Sequence, residues 1–462
     1  MKVPRRFVSP IETAQWLHVP RPVRTCLSPA SGLAAGRSAP QRSLSHQRLP
    51  TSWTVTPRLS PHVGANAQLR RGFSTKKSQP SPGSASEGEA PSFAFAFDID
   101  GVLLHVSEPI PGAKETLHYL SDHHIPFILL TNGGGRLEAD RVADLSARLG
   151  VPLTTDNFVQ SHTPFRQMTD TLADSPILVT GSDAARARAI AEAYGFRSVI
   201  TSADVLAAQP SVYPFDPLLE SVYASTARPL PAPLYRPGAG VPLEECLRVA
   251  AIFVFNDPRD WALDIQLVAD LLLSHRGYLG TYSARNGDAS LPNSGWQEDG
   301  QPGLHFSNAD IFWSTGYHLP RFGQGAFQAA VAGVWRRVTE GQAELRSTSI
   351  GKPYRETYQF AERVLDTHRR AVLERSGKGK GKGLGQLKSV YMIGDNPESD
   401  IAGANMYESD AGTDWTSVLV RTGVWTPERN GGELKHRPEI IVDDVKQAVR
   451  WALEREGWKG QL

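Results

Sequence analysis

The stretch Phe93-Ala94-Phe95-Ala96-Phe97-Asp98-Ile99-Asp100-Gly101 decides the fold class. Its first five residues form a short apolar run, which predicts a buried strand, and the polar residues after it predict a turn where that strand ends. Since Asp98 and Asp100 stand two residues apart at a strand terminus, both carboxylates can face one pocket. A carboxylate pair of this kind suits a nucleophile and a general acid/base, provided that a cation keeps the first carboxylate ionised. Alone the pattern is weak, because acidic turns are common.

Strands and helices alternate outward from this stretch. Helices are predicted over 113–123 and 445–453, and further strands over 125–130, 389–393, 418–421 and 440–442. Alternation of this kind predicts an α/β fold with a parallel sheet covered by helices on both faces. In such a doubly wound sheet, ligands bind beyond the carboxyl ends of the strands.

Three more groups of polar residues fall at that edge or beside it. Thr131 and Asn132 follow the second strand and lead into Gly133 and Gly134, so a hydroxyl and unhindered backbone N–H groups could cradle a phosphate. Lys352, in Gly-Lys-Pro, offers a positive charge, although a lone lysine is usually solvated. The last group, Asp395, Asn396 and Asp400, follows the strand at 389–393, and helix capping alone could explain it.

The ordered set of these four motifs resembles the haloacid dehalogenase (HAD) superfamily of hydrolases. The resemblance spans residues 97–405. About 220 residues separate the second motif from the third, which is far longer than a simple connection. Asn308-Ala309-Asp310 and Gly323-Gln324-Gly325 then resemble class IIA, the subclass of phosphoglycolate, pyridoxal phosphate and nitrophenyl phosphate phosphatases. Gln160-Ser161-His162-Thr163-Pro164-Phe165 and Ser307-Asn308-Ala309-Asp310 resemble, more closely, the cat eye syndrome critical region protein 5 family of mitochondrial hydrolase-like proteins.

The resemblance implies a role for each core motif. Asp98 would be the nucleophile that forms an aspartyl-phosphate, and Asp100 the general acid/base, which points to a phosphoryl ester. Mg²⁺ suits a site made of the Asp98 carboxylate, the Asp100 carbonyl and the Asp395 carboxylate. Asn396 and Asp400 would support these ligands from behind. Thr131, Lys352, Asn132, Gly133 and Gly134 would hold the transferring phosphoryl oxygens.

The resemblance also implies a Rossmann-like core carrying an inserted α/β cap. We expect a leader over 1–90, core over 91–159, cap over 160–306 and core again over 307–462. A Pro-rich stretch, 209–242, is expected to be a surface insertion of the cap, and the Gly-Lys segment 376–386 a flexible loop. A large cap favours a small phosphorylated metabolite as substrate. Cap-side candidates to contact it are His162, Asn256, Arg259, Trp261 and Arg321.

Charge is distributed unevenly along the 462 residues. Residues 1–86 hold 13 Lys and Arg against one acid, a net charge of +12, so the remainder carries −11. An acidic body argues against nucleic acid as a partner. The basic, Ser- and Pro-rich leader is typical of a mitochondrial transit peptide. Arg70-Arg71-Gly72-Phe73-Ser74-Thr75 resembles a matrix processing site cleaved after Phe73, which predicts the import and processing machinery as partners and the matrix as the location.

Other features exclude several classes of protein. No run approaches the roughly 18 apolar residues of a membrane span. Cys26 and Cys246 are too few for a disulfide framework or a cysteine zinc site. Two rival interpretations stay open: an enzyme of mitochondrial glycerophospholipid metabolism, and a catalytically weak binding or scaffold protein. The sequence does not define the oligomeric state of the protein.

Overall fold

The structure, a computed structural model, describes residues 90–313, 315–377, 385–427 and 434–462. The chain divides into two units, Met1–Lys76 and Lys77–Leu462, and every described residue belongs to the second. Several sequence predictions therefore lie outside the described residues: the leader up to residue 89, the processing site, and residues 378–384 of the Gly-Lys segment.

Strands and helices alternate along the described chain. The strands are β1 (Phe93–Phe97), β2 (Leu104–His105), β3 (Glu108–Pro109), β4 (Phe127–Leu130), β5 (Phe158–Val159), β6 (Ile177–Thr180), β7 (Val199–Thr201), β8 (Ala251–Val254), β9 (Gly303–Phe306), β10 (Phe312–Trp313), β11 (Arg321–Phe322), β12 (Thr348–Ser349), β13 (Ser389–Gly394), β14 (Asp414–Val420) and β15 (Ile440–Val442). The helices are α1 (Ala113–Asp122), α2 (Glu138–Leu149), α3 (Thr169–Leu172), α4 (Ala184–Tyr194), α5 (Ser202–Ala208), α6 (Glu220–Thr226), α7 (Trp261–Leu273), α8 (Gln324–Val338), α9 (Arg355–Arg375), α10 (Ala402–Met406) and α11 (Val445–Arg455).

A parallel sheet forms the core. Its strand order among the described residues is β15-β14-β13-β1-β4-β5, and every neighbouring pair is parallel. The α/β fold class predicted from the sequence is thereby confirmed. Strand β1 lies between β13 and β4, so the three strands that precede the acidic and hydroxyl motifs are adjacent.

The alternation of Phe and Ala in β1 explains why helices cover both faces of this sheet. Successive side chains of a strand point to opposite faces. Phe93, Phe95 and Phe97 pack with residues of α1 and α11. Ala94 and Ala96 pack with residues of α9, and their small side chains let that helix approach closely. Since both faces of β1 are apolar, the strand is buried throughout, as is usual in parallel sheets.

The cap has a second parallel sheet, of order β12-β9-β8-β6-β7 in the described chain. The cap extends further along the chain than we expected, because it does not stop at residue 306. Strand β12 pairs with β9, and Phe327, Val331 and Trp335 of α8 pack with the cap helix α7. Residues 307–349 therefore contribute mainly to the cap. The spacing of these apolar residues indicates a buried face of α8 but not which sheet it covers.

The Pro-rich stretch is not merely a surface insertion. It contains α6, and Tyr223 and Leu234 are buried in the apolar cluster of the cap. Proline limits regular structure here but does not prevent this burial.

No helix in the described ranges combines the length and the apolar character that crossing a membrane requires.

Candidate active site

The predicted motif residues meet at the carboxyl edge of the core sheet. Asp98 directly follows β1, Thr131 follows β4 and Asp395 follows β13. They line a cavity of about 360 Å³ whose wall includes residues of both core and cap. The ten core-motif residues that line it are Asp98, Asp100, Thr131, Asn132, Gly133, Gly134, Lys352, Asp395, Asn396 and Asp400.

Lys352 provides the buried positive charge of the cavity. Its Nζ lies 2.6 Å from Asp98 Oδ1 and donates a hydrogen bond of 2.8 Å to the carbonyl of Leu130. It also lies 2.6 Å from Asp400 Oδ1, as an ion pair without the angle of a hydrogen bond. Burial alone would lower the pKa of Lys352, but the charges of Asp400 and Asp98 outweigh it and raise that pKa. The ammonium is therefore held protonated between two carboxylates.

Asp98, Asp395 and Asp400 form a buried acidic cluster. One carboxylate oxygen from each lies within 4.8 Å of the others. Burial raises the pKa of Asp98 to about 7, with Lys352 opposing the shift and Asp400 adding to it. Burial, together with the charges of Asp98 and Asp400, likewise raises the pKa of Asp395. Among the described lysines, Lys352 alone lines the cavity, so the cluster keeps an excess of negative charge.

The carboxylate of Asp395 is fixed by close backbone contacts. Its Oδ2 accepts a hydrogen bond of 2.6 Å from the Val424 N–H. At Gly101, where φ is +93°, a Cβ would come within 2.5 Å of the same oxygen, and at Gly423 a Cβ would overlap it. Glycine is thus required at both positions. Sequence reasoning found Gly101 as part of its motif but missed Gly423 and Val424, because neither belongs to a recognisable pattern.

Asp400 also holds the backbone around the cluster to which it belongs. Its Oδ2 accepts hydrogen bonds from the backbone N–H groups of Asp395 (3.1 Å) and Asn396 (3.0 Å). The side chain of Asn396 turns away to accept a hydrogen bond from the Glu398 N–H, which caps the π-helical turn Pro397–Ile401.

Asp100 is more exposed than the carboxylates of the acidic cluster, and it lies near an arginine. About a third of its side chain is exposed within the cavity, and Arg141 Nη2 lies 3.9 Å from its Oδ2. Desolvation in the cavity raises the pKa of Asp100, although Arg141 and Lys352 oppose the shift. A carboxyl group that holds its proton more strongly than usual is suited to protonate a leaving group.

The loop after β4 lines the cavity with Thr131 and the glycines that follow it. Thr131 Oγ1 accepts a hydrogen bond of 3.0 Å from the Gly133 N–H, while Gly133 and Gly134 are exposed to the cavity. A Cβ at Gly134 would lie 2.8 Å from His162 Cδ2 and from Ser161 Oγ. Only glycine therefore fits this turn of the loop without displacing its neighbours.

The side chain of Asn132 connects two motifs. Its Oδ1 accepts from the Lys352 N–H (2.7 Å), and its Nδ2 donates to the Lys352 carbonyl (2.9 Å) and to Asp310 Oδ2 (3.0 Å). We expected Asn132 to contact phosphate. Its side chain is instead engaged in holding the backbone of Lys352, which places that lysine beside Asp98.

His162 does not line the cavity. The ring is completely buried, and its Nε2 accepts a hydrogen bond of 3.1 Å from the Gly135 N–H. Its Nδ1 lies 2.7 Å from the hydroxyl of Tyr194, which donates to Glu138. This arrangement assigns the proton to Nδ1. Burial also lowers the pKa of His162 to about 4, so the ring is neutral. It supports the glycine loop rather than contacting substrate.

Of the other four cap-side candidates, two line the cavity and two do not. Asn256 and Arg259 line the cavity. Trp261 and Arg321 are not part of its wall. The Trp261 indole donates to the Pro258 carbonyl and packs on Phe327, and the exposed Arg321 guanidinium stacks on the ring of Tyr317.

Sequence reasoning missed several residues of the cavity wall. Asp310 stands beside Asn132, and burial raises its pKa to about 6. Asn308 donates to the Asn132 carbonyl (3.0 Å). The motif containing both residues was noticed, and its position near the return to the core could have indicated a place at the site. Gly135, Gly323 and Ser399 also line the cavity and belong to stretches that the sequence had already singled out. The remaining missed residues carried no signal: Val106, Arg136, Arg141, Ser182, Arg186, Asp257, Phe312, Trp313 and Val424.

The acidic cluster fits a hard divalent cation. Its donors are all carboxylate oxygens, which Mg²⁺ prefers. A bound cation would also offset the excess negative charge that raises the pKa values of Asp98 and Asp395.

Two family models match the chain. One, described as haloacid dehalogenase-like hydrolase, matches residues 95–197, and a second model of HAD-like hydrolases matches residues 349–448. Together they cover all four motifs and leave most of the cap unmatched.

Relatives match over most of the chain. The mitochondrial hydrolase YKR070W of Saccharomyces cerevisiae is 35% identical over 78% of this chain and 96% of its own length. A cardiolipin synthase (CMP-forming) / mitochondrial hydrolase fusion protein of Schizosaccharomyces pombe is 38% identical over 83% of this chain, which spans 56% of the fusion protein. Among solved structures, NagD from Escherichia coli K-12 aligns with a TM-score of 0.43 at 16% identity, over 77% of this chain and 97% of NagD.

Proposed function

Since this chain belongs to the haloacid dehalogenase-like hydrolase family, we propose that it is a Mg²⁺-dependent phosphatase that hydrolyses a small phosphomonoester through an aspartyl-phosphate on Asp98. One observation carries the proposal. Asp98 lies in the cavity beside the protonated Lys352 and within one acidic cluster with Asp395. A carboxylate held in this way beside a cation site can serve as a nucleophile towards phosphorus.

The first step forms one bond and breaks another. A carboxylate oxygen of Asp98 attacks phosphorus, and the bond between phosphorus and the ester oxygen breaks on the opposite side. Asp100 gives its proton to the departing oxygen, so an alcohol leaves. In the second step Asp100, now ionised, accepts a proton from a water molecule whose oxygen attacks the phosphorus of the aspartyl-phosphate. Inorganic phosphate leaves and the Asp98 carboxylate is restored.

The other residues supply charge and position. Lys352 favours the ionised form of Asp98, and its ammonium, together with the exposed backbone of Gly134, would stabilise the phosphoryl oxygens as charge shifts onto them. Asp98 and Asp395, with the carbonyl of Asp100, would hold Mg²⁺, and Asp400 would orient them. When bound, the cation neutralises charge on the phosphoryl group.

The direct test is a screen of the purified protein against a panel of phosphomonoesters with Mg²⁺. Asp98→Asn keeps the shape of the side chain but removes the nucleophile, so turnover should fall by several orders of magnitude. Asp366→Asn, which breaks a surface ion pair with Arg370 on α9, is the matched control and should retain turnover. If Asp98→Asn keeps wild-type turnover, the covalent mechanism is wrong, and if wild type hydrolyses nothing, a binding or scaffold role is favoured.

A second candidate substrate is a phosphomonoester related to glycerophospholipids. The fusion protein of S. pombe favours it, because its name joins a cardiolipin synthase to a mitochondrial hydrolase in one chain. The panel should therefore include a glycerophospholipid that carries a terminal phosphomonoester. We further place the protein in mitochondria, in the matrix, from the basic leader and from the names of both relatives.

A further inference from the structure

An apolar hairpin stands at the mouth of the cavity. It consists of β10 and β11, which pair antiparallel, and the described residues 315–320 between them. Its exposed large apolar side chains are Ile311, Phe312, Trp313, Tyr317, Leu319 and Phe322. Phe322 is 66% exposed and Tyr317 53%. Exposed apolar groups that cluster in this way mark surfaces that bind a protein or a membrane.

The hairpin has little support of its own. Phe312 stacks on Phe322 with ring centroids 5.6 Å apart, and Arg321 lies over the ring of Tyr317 at 4.5 Å. Each strand has only two residues. A hairpin of two short strands is marginally stable in water, so burial of its aromatic side chains against another surface would stabilise it.

The hairpin is continuous with the cavity wall. Phe312 and Trp313 line the cavity, and at Gly316 a Cβ would lie 3.7 Å from Val106, an exposed apolar residue of the core that also lines it. Whatever covers the hairpin therefore lies beside the phosphoryl site.

The charge of the hairpin itself favours an anionic surface. Residues 311–323 contain Arg321 and no Asp or Glu. The adjoining cavity wall carries both signs: Arg186 and Arg259 are exposed there, Asp257 and Asp310 lie in the same wall, and Arg186 pairs with Asp183. Trp, Tyr and Arg are residues that suit the interface between lipid headgroups and acyl chains, where an aromatic body is buried and a polar end stays hydrated.

We propose that the β10–β11 hairpin docks this protein on an anionic lipid bilayer and so holds the mouth of the cavity at the membrane surface. The partner is the bilayer itself rather than a second copy of the chain, because two copies of this face would oppose arginine to arginine. Docking is independent of the proposed phosphatase reaction, since it uses no motif residue.

The test measures binding of three full-length proteins to vesicles by co-sedimentation. The proteins are wild type, the hairpin double variant Leu319→Ser/Phe322→Ser, and the control Phe215→Ser/Leu218→Ser, which alters two side chains that are each 69% exposed but remote in sequence from the hairpin. Vesicles of phosphatidylcholine with cardiolipin are compared with pure phosphatidylcholine. Because the leader carries +12, it adds the same electrostatic attraction to all three proteins, and the readout is the difference among them.

We expect wild type and control to bind the cardiolipin vesicles equally and the hairpin variant to bind roughly tenfold more weakly, since partial burial of two apolar side chains contributes more than 1.4 kcal/mol. Hydrogen exchange should slow in residues 311–323 when vesicles are added. Equal binding of all three proteins would overturn the proposal. So would a wild-type dimer that only the hairpin variant dissociates, which would make a second copy the partner. Thermal melting of each variant verifies folding, and failure of the phosphatase screen would leave this result unaffected.

Discussion

At the scale of single residues, the two carboxylates of the first motif differ in their surroundings. Asp98 is buried against Lys352, whereas Asp100 is partly exposed to the cavity beside Arg141. The first arrangement suits an ionised nucleophile and the second an acid that can exchange protons with water. Two side chains only two residues apart are therefore prepared for different tasks.

This difference leads to a prediction for Asp100→Asn. The loss in kcat/KM, which reports the first chemical step, should be roughly 10²-fold or more for an alkyl phosphate and clearly smaller for an aryl phosphate, because an aryl oxygen leaves without an acid. The two esters are compared in steady-state assays. Asp140→Asn, on the exposed side of α2, is the control and should change neither value. Equal losses for the two esters would remove Asp100 from the role of general acid.

A second prediction concerns His162 as a positioning residue. His162→Leu removes the acceptor of the Gly135 N–H and leaves that group buried without a partner, at a cost of about 1–3 kcal/mol. We expect KM for a phosphomonoester to rise about tenfold with a smaller change in kcat, because the glycine loop loses its support. His162→Gln can still accept that bond and should restore most of the affinity.

The pH profile distinguishes this role from acid/base catalysis by His162. Burial lowers its pKa to about 4, so the ring stays neutral between about pH 5 and 8. Wild type and His162→Gln should therefore have pH profiles of the same shape in that range. A profile in which the variant alone lacks a step near pH 6 to 7 would contradict the assignment.

Three of the four core motifs could be predicted from the sequence, because each is a local spacing at the end of an apolar strand, whereas Lys352 was found only through the order of the whole set. Roles that depend on distant contacts could not. Asp310 meets Asn132 across 178 residues of chain, and nothing in either local sequence indicates the pairing. His162 has the residue type of a ligand-binding group, yet its contacts with Gly135 and Tyr194 turn it towards the interior.

At the scale of elements, the cap shows how an apolar pattern can predict a helix without predicting its partner. Phe327, Val331 and Trp335 recur at the spacing of one helical face. Either the core or the cap sheet could bury that face. The parallel pairing of β12 with β9 places α8 against the cap. Such pairing between strands far apart in sequence cannot be deduced from a two-residue strand.

Helix α7 yields a prediction on stability through Asp264. This carboxyl group is buried in the cap, where it accepts a hydrogen bond of 2.6 Å from Ser202 Oγ, and burial raises its pKa to about 6. The folded state thus holds the proton more strongly than the unfolded state, whose pKa is near 3.9. The stabilisation that protonated Asp264 gives the folded wild-type protein is complete below about pH 4. It is lost as the pH rises through about 6.

Asp264→Asn cannot ionise, so it escapes this loss. The free energy of unfolding of the variant minus that of wild type should therefore be about 1 kcal/mol larger at pH 7.5 than at pH 5, which means a more stable variant at the higher pH. Urea unfolding of both proteins at the two pH values measures the difference. Asp170→Asn, exposed in α3, is the control and should show no such dependence on pH. A pH-independent difference for Asp264→Asn would mean that Asp264 is ionised in the folded state with an ordinary pKa.

At the scale of the whole molecule, core and cap share one cavity through polar contacts. Asn308, beyond the end of β9, donates to the Asn132 carbonyl in the core. Asn256, beyond the end of β8, approaches Gly135 so closely that a Cβ there would lie 2.4 Å from its Nδ2. The loop after β4 is therefore packed against the cap, and Asn256 and Asn308 line the cavity together with it.

Charge asymmetry along the entire chain supports the last prediction, on maturation. The predicted leader has a net charge of +12 over residues 1–86, while the remainder carries −11. A membrane potential negative inside the matrix contributes ~2.3 kcal/mol per charge per 100 mV, so it draws the basic end inwards. Removal at the Arg-Gly-Phe-Ser site should then leave an amino terminus within a few residues of Ser74. Amino-terminal sequencing of protein isolated from mitochondria locates this terminus.

The variants Arg71→Ala and Arg58→Ala test the processing site. Arg71→Ala should impair cleavage, whereas Arg58→Ala, an equal loss of charge outside the site, should not. An intact Met1 in mitochondrial protein would contradict the processing site, and protein confined to the cytosol would contradict the location, because a leader that is neither cleaved nor imported has no role in targeting.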